Sequence, residues 1–140
     1  MDWPKNGYRF LPLVLAMGSI FYLSHQPGSS LSLPEIVNID KLLHCLAYAV
    51  LGLTFLLALP LPWRQQRPML TGCAVVLFCF FYGATDEWHQ SFIPGRYAST
   101  ADLAADTVGG LLAAVGDWGW QQRRKTKKTR GNPHEPSGVE

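Results

Sequence analysis

Four stretches of this chain are each long and apolar enough to cross a hydrocarbon layer as a helix, and that excludes most other folds. They run about Tyr8–Ser24, Leu42–Leu59, Met69–Thr85 and Leu103–Trp120, roughly 17–18 residues apiece. None alternates with a period of two, so barrel strands are a poor reading. Overall hydrophobic content, 48%, is ordinary for a soluble protein, but the charges lie almost wholly between and after the blocks. A soluble four-helix bundle would accommodate Asp106 and Asp117 in the fourth block. It would also need polar faces on the second and third, which are apolar nearly all round. The expected fold class is therefore all-α, a four-helix transmembrane bundle over residues 1–120, followed by a basic tail over 121–140 expected to be disordered. Lys5 and Arg9 before the first block suit a secretory signal, but "SIFYLSHQPG" has no small-residue cleavage site, so that helix is expected to remain.

Charge gives the orientation. Lys5, Arg9, Arg64, Arg67, Arg123, Arg124, Lys125, Lys127, Lys128 and Arg130 fall on one side, and only Lys41 and Arg96 on the other. The basic side should be the cytoplasm, which places both termini inside and predicts a multi-pass protein of the cytoplasmic (inner) membrane. Glu35, Asp40, Asp86, Glu87, Asp102 and Asp106 gather instead in or beside the two outer segments. Acidic residues do not set topology, so their bias is independent information. The short proline-bounded "LPLPW" suits an antiparallel connection between the second and third helices. Trp63, Trp118 and Trp120 fall where an inner aromatic belt is expected, and Trp88 near the outer one. Ser32 with Glu35 could cap a short surface helix.

Asp40, His44 and Tyr48 recur at four-residue spacing and share one helix face, as do Gly83, Glu87 and Gln90. Asp102 and Asp106 open the fourth helix, followed deeper by Gly109, Gly110 and Ala113. Small residues let helices approach closely, which would press the polar ends together around one outward-facing site. His44 and Glu87 are the candidate catalytic residues, as a hydrogen-bonded acid–base pair. Asp40, Lys41, Tyr48, Gln90, Arg96, Asp102 and Asp106 are the candidate binding residues. An ion pair of Glu87 with Arg96 or Lys41 is equally open at this level.

Several of these residues also have plainer roles. Asp40 can cap the second helix. Ser99 with Asp102 fits a capping box, and Pro94-Gly95 a tight turn that places Arg96. Tyr48 can be a buried aromatic with a satisfied hydroxyl, and Asp86 and His89 can face solvent. No zinc-type spacing appears, so no metal and no cofactor are expected. Cys45, Cys73 and Cys79 lie inside apolar blocks and should be free thiols. No phosphate loop, serine-nucleophile motif or nucleic-acid pattern is present.

"DKLLHCLAYAVLG" and "YGATDEWHQSFIPGRYASTADLAADTVGGLLA" together resemble the VanZ-like integral membrane family. Its pattern has an aspartate–lysine and a histidine opening one helix, then E-x-x-Q, P-G-R and an aspartate opening the last. The matching positions are Asp40, Lys41, His44, Tyr48, Glu87, Gln90, Pro94, Gly95, Arg96 and Asp102. Asp106 stands where the family often has asparagine, and Ala113 where it often has glycine. The resemblance implies a cell-envelope role, in a family named for an accessory protein that lowers susceptibility to the glycopeptide teicoplanin. It does not supply a reaction, and whether the chain is an enzyme stays open.

Three functions fit these residues. One is a site for an anionic membrane lipid or lipid-linked wall precursor. Another is a non-enzymatic packing or partner-binding module. The third is a proton-coupled small transporter, which would need a homo-oligomer to form a path.

Overall fold

Prolines set where the helices begin. Pro12, Pro62 and Pro68 each occupy the first turn of a helix, where a missing N–H costs nothing. The computed structural model describes residues 4–28 and 38–130, and the side chains of 7–28 and 38–127. The expected Ser32–Glu35 cap and the ending after Arg130 lie outside the described residues.

A 3-10 segment, Pro4–Phe10, leads into α1, Leu11–Ser24. There follow α2, Ile39–Ala58; the short α3, Leu61–Gln66; α4, Pro68–Gln90; and α5, Thr100–Arg130. No strand occurs among the described residues. The all-helical expectation therefore holds, with the "LPLPW" connection folded as α3.

Side-chain pairing fixes how the helices run. Along α2 and α5 the partners are Lys41 with Asp102 and His44 with Asp106, then Gly52 against Ala113. Both numbers rise, so the two helices are parallel. Between α4 and α5 the partners are Gly83 with Asp106, then Cys79 with Gly110, so those two are antiparallel. Met17 meets Tyr82 and Ser24 meets Asp86, which sets α1 parallel to α4. Thus α1, α2, α4 and α5 alternate in direction, and α5 lies at the centre, packed against both α2 and α4.

Close approach at the centre depends on missing side chains. A Cβ on Gly109 would collide with the carbonyl oxygen of Cys45 and the backbone of Ala49. Among the described residues the buried apolar set is small: Leu13, Ile20, Tyr48, Leu51, Leu56, Ala58, Val75, Cys79 and Ala113, beside as many buried polar residues. Leu42, Leu46, Val50, Leu53, Leu57, Leu77, Phe81, Leu111 and Val115 instead point outward. An apolar exterior around a small and polar interior is what a bilayer, and not water, would stabilise.

Three described helical stretches have the length and apolarity of membrane spans: Gly7–Ser24, Ile39–Ala58 and Pro68–Gln90, with 18, 20 and 23 residues. The expected fourth, in α5, does not reach that level, because it carries Asp102, Asp106 and Asp117. Asp106 and Asp117 are buried against α2 and α3, so α5 is polar inward and apolar outward. The tail also departs from expectation. Helix α5 continues beyond Trp120 to Arg130, and the Arg124 guanidinium sits 4.5 Å over the Trp120 ring. Consecutive long polar side chains have good helix propensity, which extends a helix already nucleated by packing.

Candidate functional site

Helix α2 starts at Asn38, held in the left-handed region with φ 63° and no side-chain cap. Asp40 is therefore not the cap that the sequence suggested; it lies in the first turn and accepts a hydrogen bond from Lys41 Nζ at 2.8 Å. Lys41 reaches the other way too, donating to Asp102 Oδ1 at 3.1 Å. One turn deeper, His44 Nδ1 lies 3.0 Å from Asp106 Oδ1. Tyr48 sits below, its ring stacked on that of His44 with centroids 6.5 Å apart.

The start of α5 shows a divided capping box. Ser99 Oγ accepts the Asp102 N–H at 3.3 Å, as expected. In an ordinary box the acidic side chain would return to the serine N–H. Here Glu87 of α4 takes that N–H on Oε2 at 2.6 Å, which leaves Asp102 to bind Lys41. The cap thus docks α5 onto α4 and α2 together.

The "FIPGRY" turn has Gly95 at φ 76°, a conformation that strains any side chain. It places Arg96 beside the cluster, its Nε buried. Asp86 is buried and not solvent-facing: Ser24 Oγ donates to its Oδ2 at 2.7 Å, and Gln90 Nε2 at 3.1 Å. Helix α4 is apolar along the chain up to this point, so nothing in the sequence places α1 against Asp86. His89 pairs with His25, just past the end of α1, at 3.2 Å.

All nine candidate residues therefore lie at one end of the bundle, seven of them in three groups. Lys41 joins Asp40 to Asp102. His44, Glu87 and Asp106 converge until one ligand-type atom from each lies within 4.8 Å of the others. Gln90 belongs with Asp86 and Ser24. His44 takes Asp106 as its hydrogen-bond partner, and the lysine goes to the two other aspartates, so Glu87 has no ion pair among the described residues. Among the described residues, four buried side-chain nitrogen or oxygen atoms have no hydrogen-bond partner: Tyr48 Oη, Glu87 Oε1, Arg96 Nε and Asp106 Oδ2. All belong to this end. Buried polar atoms are normally satisfied by protein, water or a bound group, so this end of the bundle has donor and acceptor capacity left over.

A groove of about 400 Å³ opens beside it. Ile20 and Leu23 of α1 and Leu43, Leu46 and Ala47 of α2 form its apolar wall. Ser24, Asp40, His44, Tyr48, Asp86, Gln90 and Arg96 line the polar part. Its size falls within the usual range for a small-molecule site.

A second polar network, which the linear pattern did not reveal, closes the opposite end. Arg64 of α3 pairs with Asp117 of α5 and donates to the Leu56 carbonyl at 3.1 Å. Gln121 donates to the same aspartate at 2.7 Å. Burial lowers the Arg64 pKa below its ordinary value, and Arg9 pushes the same way. The three cysteines are free, as expected.

A protein-family model described as VanZ/LLP1 matches residues 9–116, most of the chain. Comparison with curated proteins and with solved structures gives no match.

Proposed function

The chain belongs to the VanZ/LLP1 family, and from that premise we propose a membrane protein whose polar cluster receives the headgroup of an anionic envelope lipid or lipid-linked wall precursor. The single observation that carries this reading is the groove between α1 and α2. Its mouth, at Leu23, Leu43 and Leu46, is apolar and more than four-tenths exposed, while its floor holds Arg96, Gln90 and His44. An amphiphile could leave its chain in the bilayer and slide its head sideways to the floor. Arg96, with a buried unpartnered Nε, is the anion contact. His44, on the same floor, is a group able to accept or donate a proton near neutral pH.

The reading includes α5 as a fourth span. It runs beside α2 from Asp102 to Ala113, about 16 Å of helix, so a bilayer that contains α2 must contain much of α5. With four alternating spans, the ten basic residues counted above share the cytoplasmic side, and the groove faces outward. Any effect on teicoplanin susceptibility would follow from an envelope role of this kind.

The test uses the purified chain and short-chain phosphatidylglycerol, with phosphatidylcholine of equal chain length as the neutral control. The anionic lipid should raise the unfolding temperature more than the control, and Arg96→Gln should remove most of that difference. Equal shifts with both lipids reject the reading. A second function, a packing module without a ligand, is favoured by the Lys41–Asp102 and His44–Asp106 bridges that tie α2 to α5. It predicts no lipid preference and a loss of folding when either bridge is cut.

A further inference from the structure

We propose that His44, Glu87 and Asp106 form a binding site for one divalent transition-metal cation, held between α2, α4 and α5. Along the chain these residues follow no metal-binding spacing, and only the packing brings them together. One imidazole nitrogen and two carboxylate oxygens then lie within 4.8 Å of one another. Ligands about 2.1 Å from a common ion subtend about 3–4 Å, so a shift of about 1 Å closes the set. The 3.0 Å between His44 Nδ1 and Asp106 Oδ1 already matches two adjacent ligands.

An independent observation points to the same place. Glu87 and Asp106 are 6% and 0% exposed, and each keeps one oxygen without a hydrogen-bond partner. Asp106 Oδ2 is directed at α4, where a Cβ on Gly83 would stand only 2.6 Å from it. Glu87 is one turn further along that same helix. Lys41 is taken by Asp40 and Asp102, and no described lysine or arginine pairs with either buried carboxylate. Burying acceptor oxygens without donors is costly, and one cation would satisfy both.

The donor set decides the class of ion. Mixed imidazole and carboxylate ligands suit zinc or manganese, whereas soft copper(I) would want thiolates. Cys79 Sγ faces the Tyr48 carbonyl instead of the cluster. Three protein ligands leave room for a further ligand, and His44 also lines the groove. The proposal does not depend on the lipid reading, because a cation can occupy these ligands whether or not the groove takes a lipid.

The experiment is calorimetric titration of the full chain, purified in detergent and stripped with chelator, with zinc chloride and separately with manganese chloride. The background is H25A/H89A, which removes the one close histidine pair among the described residues. One ion per chain is expected for at least one metal. E87Q and D106N should each weaken it at least tenfold. Because D106N alters a fully buried residue, E87Q decides the matter if D106N does not fold, with helix content checked by circular dichroism. Binding of neither ion overturns the proposal. So does a bound ion whose affinity is unchanged in folded E87Q.

Discussion

The most exacting residue in this bundle is a glycine. Gly109 lets α5 touch the backbone of α2 at Cys45 and Ala49, and no side chain fits between them. Gly109→Ala should destabilise the protein by about 1–3 kcal/mol, the usual range for overpacking; denaturant unfolding in detergent would measure it. An unchanged midpoint would mean that the two helices do not meet there. The Arg64–Asp117 pair makes a second residue-scale prediction. Both partners are about nine-tenths buried, so losing one leaves the other charge stranded. Asp117→Ala should cost about 3–5 kcal/mol, whereas Arg64→Met together with Asp117→Leu should recover most of it. Thermal unfolding of the three proteins would separate an unpaired charge from simple loss of volume. Sequence reading offered His44 and Glu87 as a hydrogen-bonded pair, whereas the structure brings the two within 4.8 Å but gives His44 to Asp106. Partner choice depends on which helix rotates which face inward, and residues far apart in sequence decide that.

At the scale of elements, α1 is the lightly attached helix. It forms part of the groove wall, and its polar anchors at this end are Ser24 on Asp86 and the His25–His89 pair. Ser24→Ala removes a donor from a buried carboxylate, which should cost about 1–3 kcal/mol. Hydrogen exchange should then rise in α1 before it rises in α5. Uniform exchange across both helices would assign α1 to the rigid core instead. The divided cap at Ser99 is the other element-scale device. The Glu87 carboxylate takes the N–H that Asp102 would otherwise bind, so α5 begins docked to two helices. The capping box was legible from spacing alone, but the substitution of Glu87 for Asp102 within it was not. A local motif describes what one helix end can do, and a neighbour can supply the same hydrogen bond.

For the whole molecule the leading prediction is topological. Reporters fused at either terminus should both give cytoplasmic signals, and a reporter in the segment between α4 and α5 should not. Opposite signals from the two termini would remove α5 as a span. The apolar blocks, by length and composition, determined that the chain is helical and built for a bilayer, because an unpaired backbone cannot be left in hydrocarbon. They also determined which end carries the carboxylates and which the basic residues. Tertiary structure decided the rest. It turned Asp106 and Asp117 inward, ran the last helix on to Arg130, buried Asp86 under Ser24, and gathered three ligand-type groups from three helices. Hydrophobicity is a property each residue carries with it, so it can be read along the chain. The meeting of side chains depends on helix rotation and close approach, which are settled only when all the interfaces pack at once.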